Sequence, residues 1–185
     1  MKTIIISGHS GSGKDTFANL IKKNLSNKRI LIVHYGDPVK WMATHFFNWN
    51  GDKTTIEGRH MLQYLGTDLM RTYDADYWCR MIGEFLAAAA QENLYDLVLI
   101  PDARFPNERE ITQYYCPDSV TVRIERYNAD ESKYINPNLS EEQLNHPSEI
   151  SLDHYAFNYI IENMGDLEGL EDSAKVLIED LTLNQ

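Results

Sequence analysis

The sequence predicts an α/β domain of three layers, a five-stranded parallel sheet covered by helices on both faces. Two observations carry that prediction. Short apolar runs rich in β-branched residues alternate with stretches of helical periodicity along the chain, and strands separated by helices pair in parallel beneath those helices. The first of these runs also passes straight into a glycine-rich turn and then a helix, from Thr3 to Thr16 (TIIISGHSGSGKDT). Strand, glycine loop, lysine and helix together turn backbone N–H groups inward and add the partial positive charge of a helix N-terminus. The stretch is therefore expected to bind phosphate, with Lys14 reaching the β- and γ-phosphates.

Ile4 to Ile6 read as the first buried strand, and Phe17, Leu20, Ile21 and Leu25 as the inward side of the first helix. Between them the spacing from Gly8 to Gly13-Lys14, through Gly11 and Ser12, fits G-x-x-x-x-G-K. Asp15 stands where the strict motif has Ser or Thr, and Thr16 follows it. The dinucleotide pattern G-x-G-x-x-G fails, because no third glycine follows Gly11 and Gly13. Arg29 to Tyr35 reads as the second strand, after which Asp37 can cap and Pro38 begin a helix to about Phe47. Asn48 to Lys53 is a turn-rich loop. Thr54 to Tyr73 has helical spacing, with Leu62, Leu65 and Leu69 on one side and Gly58 and Gly66 against it. Asp74 to Gln91 is a further helix, with Trp78, Ile82, Phe85 and Ala89 as its stripe.

Tyr95 to Ile100 is the third strand, ending at Pro101-Asp102, and Asn107 to Tyr115 is a short helix. Ser119 to Arg126 is the fourth strand. Residues 127–149 are polar, hold Pro137 and Pro147, and include a small helix capped by Ser140 with Gln143 reaching back. They are the candidate lid or insertion. Tyr155 to Glu162 is the last strand, turning at Asn163-Met164-Gly165. The closing helix from Leu167 turns Leu167, Leu170, Ala174, Leu177 and Ile178 inward.

A chain of 185 residues fits one domain, here taken as 1–185, and can bury a real core. Its 43% hydrophobic and 24% charged content are those of a soluble globular protein. The strand starting almost at Met1 leaves no room for a signal segment, and no apolar run reaches membrane-spanning length. Cys79 and Cys116 share no metal spacing and are expected to be reduced, so a cytoplasmic setting is expected. The net charge of −11, from 28 acidic and 17 basic residues, argues against broad nucleic-acid binding but not against a small anionic ligand.

Candidate chemistry gathers at strand ends. Asp102 closes a buried strand in a chain with a phosphate loop, a position suited to holding Mg²⁺ directly or through water, and Arg104 follows where it could sit over a transferring phosphoryl group. The competing reading has Asp102 capping a turn and Arg104 pairing with Glu108. Thr16 is placed to bond an α-phosphate. Asp15 has two readings, one as a water-mediated Mg²⁺ ligand or a group near the acceptor, the other as a residue that simply suits the helix dipole. Arg59, Arg71, Arg104 and Arg126 are candidate anion clamps, because phosphoryl transfer needs positioning and charge neutralisation more than an acid–base dyad. Arg59 and Gln63, four apart, share a helical face. The six His residues show no H-E-x-x-H pairing, and Ser7 and Ser10 lie in no G-x-S-x-G. Trp41, Tyr64 and Trp78 are either core or base-stacking aromatics.

The motifs SGHSGSGKDTFANLI, YGDPVK, GRHMLQYLGTDLMR, DARFPNE, NHPSE and IIENMGDLEGL, in that order, resemble the deoxynucleoside monophosphate kinases of bacteriophages and related bacterial genomes, within the P-loop nucleoside monophosphate kinase superfamily. The resemblance runs from about Lys2 to Leu170. It implies transfer of a phosphoryl group from MgATP to a (d)NMP, a helical acceptor-binding region at about 37–80 and a lid at about 127–149, with small nucleotides as partners and a homodimer left open. It implies that Gly8 to Thr16 bind the ATP phosphates and that Asn163 to Gly165 lie against the adenine. Asp37, Lys40, Arg59 and Gln63 would form the acceptor site, to which the clamp candidate Arg71 and the aromatic Trp78 are added from the residues themselves. Asp102 and Arg104 would act at the transfer site, with Asp15, Thr16 and Asp102 holding Mg²⁺ partly through water. The lid has only Lys133 and is acidic, whereas adenylate-type kinases put several Arg there, so its catalytic cation is expected from Arg126 or Arg104. Other readings are a P-loop kinase for dephospho-coenzyme A, a sugar acid or a phosphomevalonate-like acceptor, a non-catalytic ATP sensor and, least supported, a nucleic-acid motor.

Overall fold

The computed structural model describes residues 1–52 and 55–183, with the backbone alone for Ile56 and Arg59. Five strands, β1 (Lys2–Ser7), β2 (Ile30–Ile32), β3 (Leu97–Ala103), β4 (Val120–Arg126) and β5 (Tyr159–Asn163), pair in parallel in the order β2-β3-β1-β4-β5. Side chains alternate across the sheet. Ile4 and Ile6 face helices α1 (Lys14–Asn24) and α9 (Leu167–Asp180). Ile5, Val98 and Ile100 face the opposite layer, where Cys79, Ile82 and Leu86 of α5 (Tyr77–Gln91) lie over them, flanked by α6 (Pro106–Tyr115). The three layers and the five parallel strands are those expected.

From β1 the chain crosses to β2 on one side, and from β3 it crosses through α6 to β4 on the other. The carboxyl ends of β1 and β3 therefore diverge, and the crevice between them is where an open α/β sheet binds its ligands. Over it stand α2 (Asp37–Phe47), α3 (Ile56–Gln63), a π-helical segment (Tyr64–Leu69) and α4 (Met70–Tyr73). The polar stretch 127–149 carries the short helices α7 (Glu141–Leu144) and α8 (Pro147–Ile150).

Several boundaries differ from expectation for identifiable reasons. β2 stops at Ile32 because, after the Val33 N–H that still bonds Leu99 O at 3.0 Å, the next N–H groups are taken by side chains: His34 N–H bonds Asp37, while Tyr35 and Gly36 N–H bond Asp102. Gly36, not Asp37, precedes α2 as its cap. β3 runs on through Pro101 and Asp102 to Ala103, and its ladder with β1 shifts register between Ile5 and Ser7. That irregularity falls opposite Pro101, which has no N–H to give. β5 starts only after Asn158, whose side chain accepts both the N–H and the hydroxyl of Thr121, each at 2.9 Å.

The long helix expected over 54–73 is interrupted. Its start at Thr54 lies outside the described residues, and Thr55 caps α3 by accepting the Gly58 N–H at 3.1 Å. The wider π turn then frees the Gly66 carbonyl to accept the indole N–H of Trp78 at 3.0 Å. α5 starts at Tyr77, and Leu86 rather than Phe85 fills its buried stripe. Leu167 is exposed, while the other four residues expected inward on α9 are buried. The Ser140–Gln143 capping box is present, with bonds of 2.9 and 3.3 Å.

At Gly83, α5 packs directly against Tyr115 of α6. A Cβ there would collide with the Tyr115 ring. Gly83→Ala gains about 1 kcal/mol of helix propensity but loses about 1–3 kcal/mol to overpacking. We expect a net loss of stability in urea unfolding; an equal or more stable variant would mean that Tyr115 does not hold the two helices at this distance.

Candidate active site

The loop after β1 is shaped by its glycines. Gly13, at φ 100°, caps α1 in the left-handed region, and a Cβ on Gly8 would lie 2.5 Å from both the Ile124 carbonyl and the Ser12 hydroxyl. Only a chain without side chains at these points can fold this tightly and aim its N–H groups inward. Lys14, 7% exposed at the first turn of α1, donates to the carbonyls of Gly8 at 2.8 Å and His9 at 2.9 Å. Burial, then the nearby charge of Arg104, lowers its pKa to about 8, against the pull of Glu149, Asp15 and Asp102. An incoming polyanion would favour the charged ammonium. From β5, the buried Asn163 donates to Ser12 O at 2.8 Å and accepts the Gly165 N–H at 2.9 Å, so the β5 turn braces the loop from behind.

Facing the loop is a cleft of about 660 Å³, lined among others by Lys14, Asp15, His34, Lys40, Arg71 and Asp102. Asp102 accepts Tyr35 N–H at 2.9 Å and Gly36 N–H at 3.1 Å. It thus does what the competing reading expected, holding a turn, while still facing the cleft. Burial raises its pKa, opposed by His34, these two N–H groups and Lys40. Glu108, buried, accepts the backbone N–H groups of Arg104 at 2.7 Å and Phe105 at 3.0 Å, and its other oxygen pairs with the Arg71 guanidinium. Burial raises Glu108 against that pairing. The alternative expectation of an Arg104–Glu108 side-chain pair is corrected: the guanidinium of Arg104 instead pairs with Glu149 and bonds Ser148 O at 3.2 Å. Arg71, expected as an anion clamp, lies 4.4 Å over the Phe105 ring and is already engaged in the pairing with Glu108.

Across the cleft a line of charges joins the two walls. His34 Nε2 is 2.9 Å from Asp15, its Nδ1 3.3 Å from Asp37, and Asp37 bonds Lys40 at 2.9 Å. The Asp15 bond raises the pKa of His34 against its burial. Burial pushes Asp37 up, but Lys40 and the His34 N–H hold it below its ordinary value. Asp15 therefore faces the cleft rather than only the helix dipole. Thr16 is exposed one residue further along α1.

Other expected residues divide. Trp78 is 1% exposed and packs with Val39, Ala43 and Leu65, so it is core beneath the cleft rather than an open stacking face. Trp41 stacks on His45, and Tyr64 is about half exposed. Gln63 lies on a second cavity, also about 660 Å³, between the π-helical segment and the 127–149 stretch; Thr67, Phe105, Gln143 and His146 share it. Arg59 belongs to α3, but its side chain lies outside the described residues. Arg126 donates to Gly11 O at 2.9 Å and covers the Tyr134 ring at 4.2 Å, with Gly165 beside it. Sequence reasoning gave no role to Glu149, His34, Tyr134 or Asn136; Glu149 alone carried a signal, as the last residue of the NHPSE motif.

Among the described residues no group of three or more His, Cys, Asp or Glu is placed to hold a metal ion. That fits Mg²⁺, which takes one or two carboxylates and completes its shell with water and substrate phosphates. Asp102 and Asp15 both line the cleft beside the loop. No helix among the described residues is long and apolar enough to cross a membrane.

The model of the deoxynucleotide monophosphate kinase family matches residues 42–174. No curated protein matches the chain. Solved structures share its fold at low identity. A sugar kinase from Janibacter sp. superposes with a TM-score of 0.56 at 17% identity, covering 97% of this chain and 95% of that one. The APS kinase of Mycobacterium tuberculosis in complex with AMPPNP and APS gives 0.52 at 15%, covering 98% and 97%. A gluconokinase from Sinorhizobium meliloti gives 0.51 at 16%, covering 100% and 97%.

Arg71 is the only counter-charge paired with Glu108 among the described residues. Arg71→Ala strands that buried carboxylate and is expected to cost about 3–5 kcal/mol in chemical denaturation. The double variant Arg71→Met/Glu108→Gln should recover a large part of the loss; a single variant with wild-type stability would show that the pair does not hold the α6 turn.

Proposed function

Since the chain belongs to the deoxynucleotide monophosphate kinase family, we propose that it transfers the γ-phosphoryl group of MgATP to the 5′-phosphate of a deoxynucleoside monophosphate, giving ADP and a deoxynucleoside diphosphate. The observation that carries this reading is the cleft itself. A glycine-rich phosphate loop with Lys14 forms one wall, Lys40 and Arg71 stand on the other, and Asp102 lies between them. Two anionic substrates can meet there with their phosphates end to end.

In this reading Gly8, Gly11, Ser12, Gly13, Lys14, Asp15 and Thr16 take the ATP phosphates. Lys14 exchanges its two loop carbonyls for phosphate oxygens, which keeps its charge in a buried place. Asn163 and Gly165 lie against the adenine, with Arg126 at the same edge. Asp37, Lys40, Arg59 and Arg71 receive the acceptor, whose base enters the second cavity beside Gln63. Arg104 is the cation over the transferring group. Asp102 and Asp15 would hold Mg²⁺ through water and Thr16 through its hydroxyl; when bound, the ion neutralises charge on the β- and γ-oxygens. The acceptor oxygen attacks phosphorus directly and ADP leaves on the opposite side. The protein supplies position and charge rather than a nucleophile.

The test is ADP release from MgATP with each deoxynucleoside and ribonucleoside monophosphate added singly. Strong stimulation by one or a few is expected, and Lys14→Ala should abolish it while leaving the unfolding midpoint near wild type. Absence of stimulation by every monophosphate, in a protein that still binds ATP, would reject the acceptor class. A Lys14→Ala variant turning over normally would reject the loop's role.

A further inference from the structure

Glu149 puts a carboxylate where a phosphate is expected. It is the last residue of the NHPSE motif, its side chain is only 11% exposed, and it lies in α8 at the end of the 127–149 stretch. One of its oxygens accepts the backbone N–H of Ser10, inside the phosphate loop, at 2.8 Å. The other pairs with the guanidinium of Arg104. A loop N–H and an Arg over the cleft are the two kinds of donor that hold phosphoryl oxygens.

The contact is part of a wider closure. Asn136 donates to the Ser10 hydroxyl at 3.1 Å, and Tyr134 lies against Gly11, where an added Cβ would come within 3.0 Å of its ring. The stretch therefore presses on Ser10 and Gly11 through Tyr134, Asn136 and Glu149, and only Glu149 brings a negative charge. A carboxylate and a phosphate cannot both take the Ser10 N–H and the Arg104 guanidinium, since like charges at that range repel.

We propose that Glu149 is an internal competitor for the terminal phosphate of the donor, a latch holding the 127–149 stretch over the loop until a polyphosphate displaces it and takes Arg104. The proposal rests on the loop binding the donor phosphates, as in the function proposed above, but it requires nothing of the acceptor. Glu149 is thus an affinity-setting residue: it opposes donor binding and keeps Arg104 aimed at the cleft while the donor is away. A purely structural role, a salt bridge fastening α8 to the turn before α6, makes the opposite prediction, because loss of the charge would then loosen the site.

The experiment is calorimetric titration of wild type, Glu149→Gln and Glu149→Asp with two probes, Mg²⁺-AMPPNP and inorganic tripolyphosphate. Neither needs an acceptor, and the second needs no base site. Removing the competing charge should lower both dissociation constants about tenfold or more for Glu149→Gln, the size expected of one charge-assisted bond. Glu149→Asp, which keeps the charge but draws it back, should fall between Gln and wild type. Unchanged or weaker binding of both probes by a Glu149→Gln protein that melts like wild type overturns the proposal. So does a Glu149→Asp protein that melts like wild type and binds both probes no more tightly than wild type, a comparison that stands even if Gln disturbs the fold. If no monophosphate stimulates ADP release while Glu149→Gln still tightens both probes, the acceptor class fails and the latch stands.

Discussion

Two carboxylates on either side of the turn that follows β3, the half-buried Asp102 and the buried Glu108, shape the cleft, and the rest of the site depends on them. A strand end next to a ligand crevice leaves backbone N–H groups that must find partners away from water. Asp102 takes those of Tyr35 and Gly36 and so fixes where α2 starts. Glu108 takes those of Arg104 and Phe105 and so fixes where α6 starts, spending its remaining oxygen on Arg71. Each carboxylate is held against burial that raises its pKa, and cations on the cleft wall oppose that rise. The same Arg71 and Lys40 that suit an anionic acceptor also offset these charges. In the proposed function, structure and acceptor binding are therefore coupled through shared partners.

The donor side is built on a different constraint. The loop after β1 gets its shape from glycines whose Cβ positions are filled by Ile124, Ser12, Tyr134 and Asn163. Its neighbours on the far side are the β5 turn and Arg126, and on the near side the 127–149 stretch. In the proposed function an acidic chain binds polyphosphate there, because Lys14, Arg104, Arg126 and the loop N–H groups set the local field rather than net charge.

The fold was legible because it rests on local pattern. Apolar β-branched runs and helical stripes located all five strands and the helices of both layers, and the glycine spacing located the loop. What was not legible depended on contacts between distant segments. β2 ends early because Asp37 and Asp102 capture the N–H groups of His34, Tyr35 and Gly36, and β3 continues through Pro101 because its neighbours tolerate a missing donor. No window of residues around Gly66 announces a π turn, since its carbonyl is claimed by Trp78, twelve residues away. In the site, Lys14, Asp102 and Arg104 could be named from motif and strand-end position. Their partners could not. Glu149 meets Ser10 from 139 residues along the chain, and His34 joins Asp15 to Asp37 only because β2 ends beside α1.

The central claim is that one cleft holds donor and acceptor with their phosphates in line. The most direct test is the affinity of a bisubstrate compound, adenosine and a deoxynucleoside joined 5′ to 5′ through five phosphates. If both sites open on the one cleft, joining the ligands makes the second contact intramolecular, and the compound should bind at least a hundredfold more tightly than ATP, as expected on the order of effective concentration. Affinity no better than that of ATP alone would contradict the shared cleft and separate the two sites.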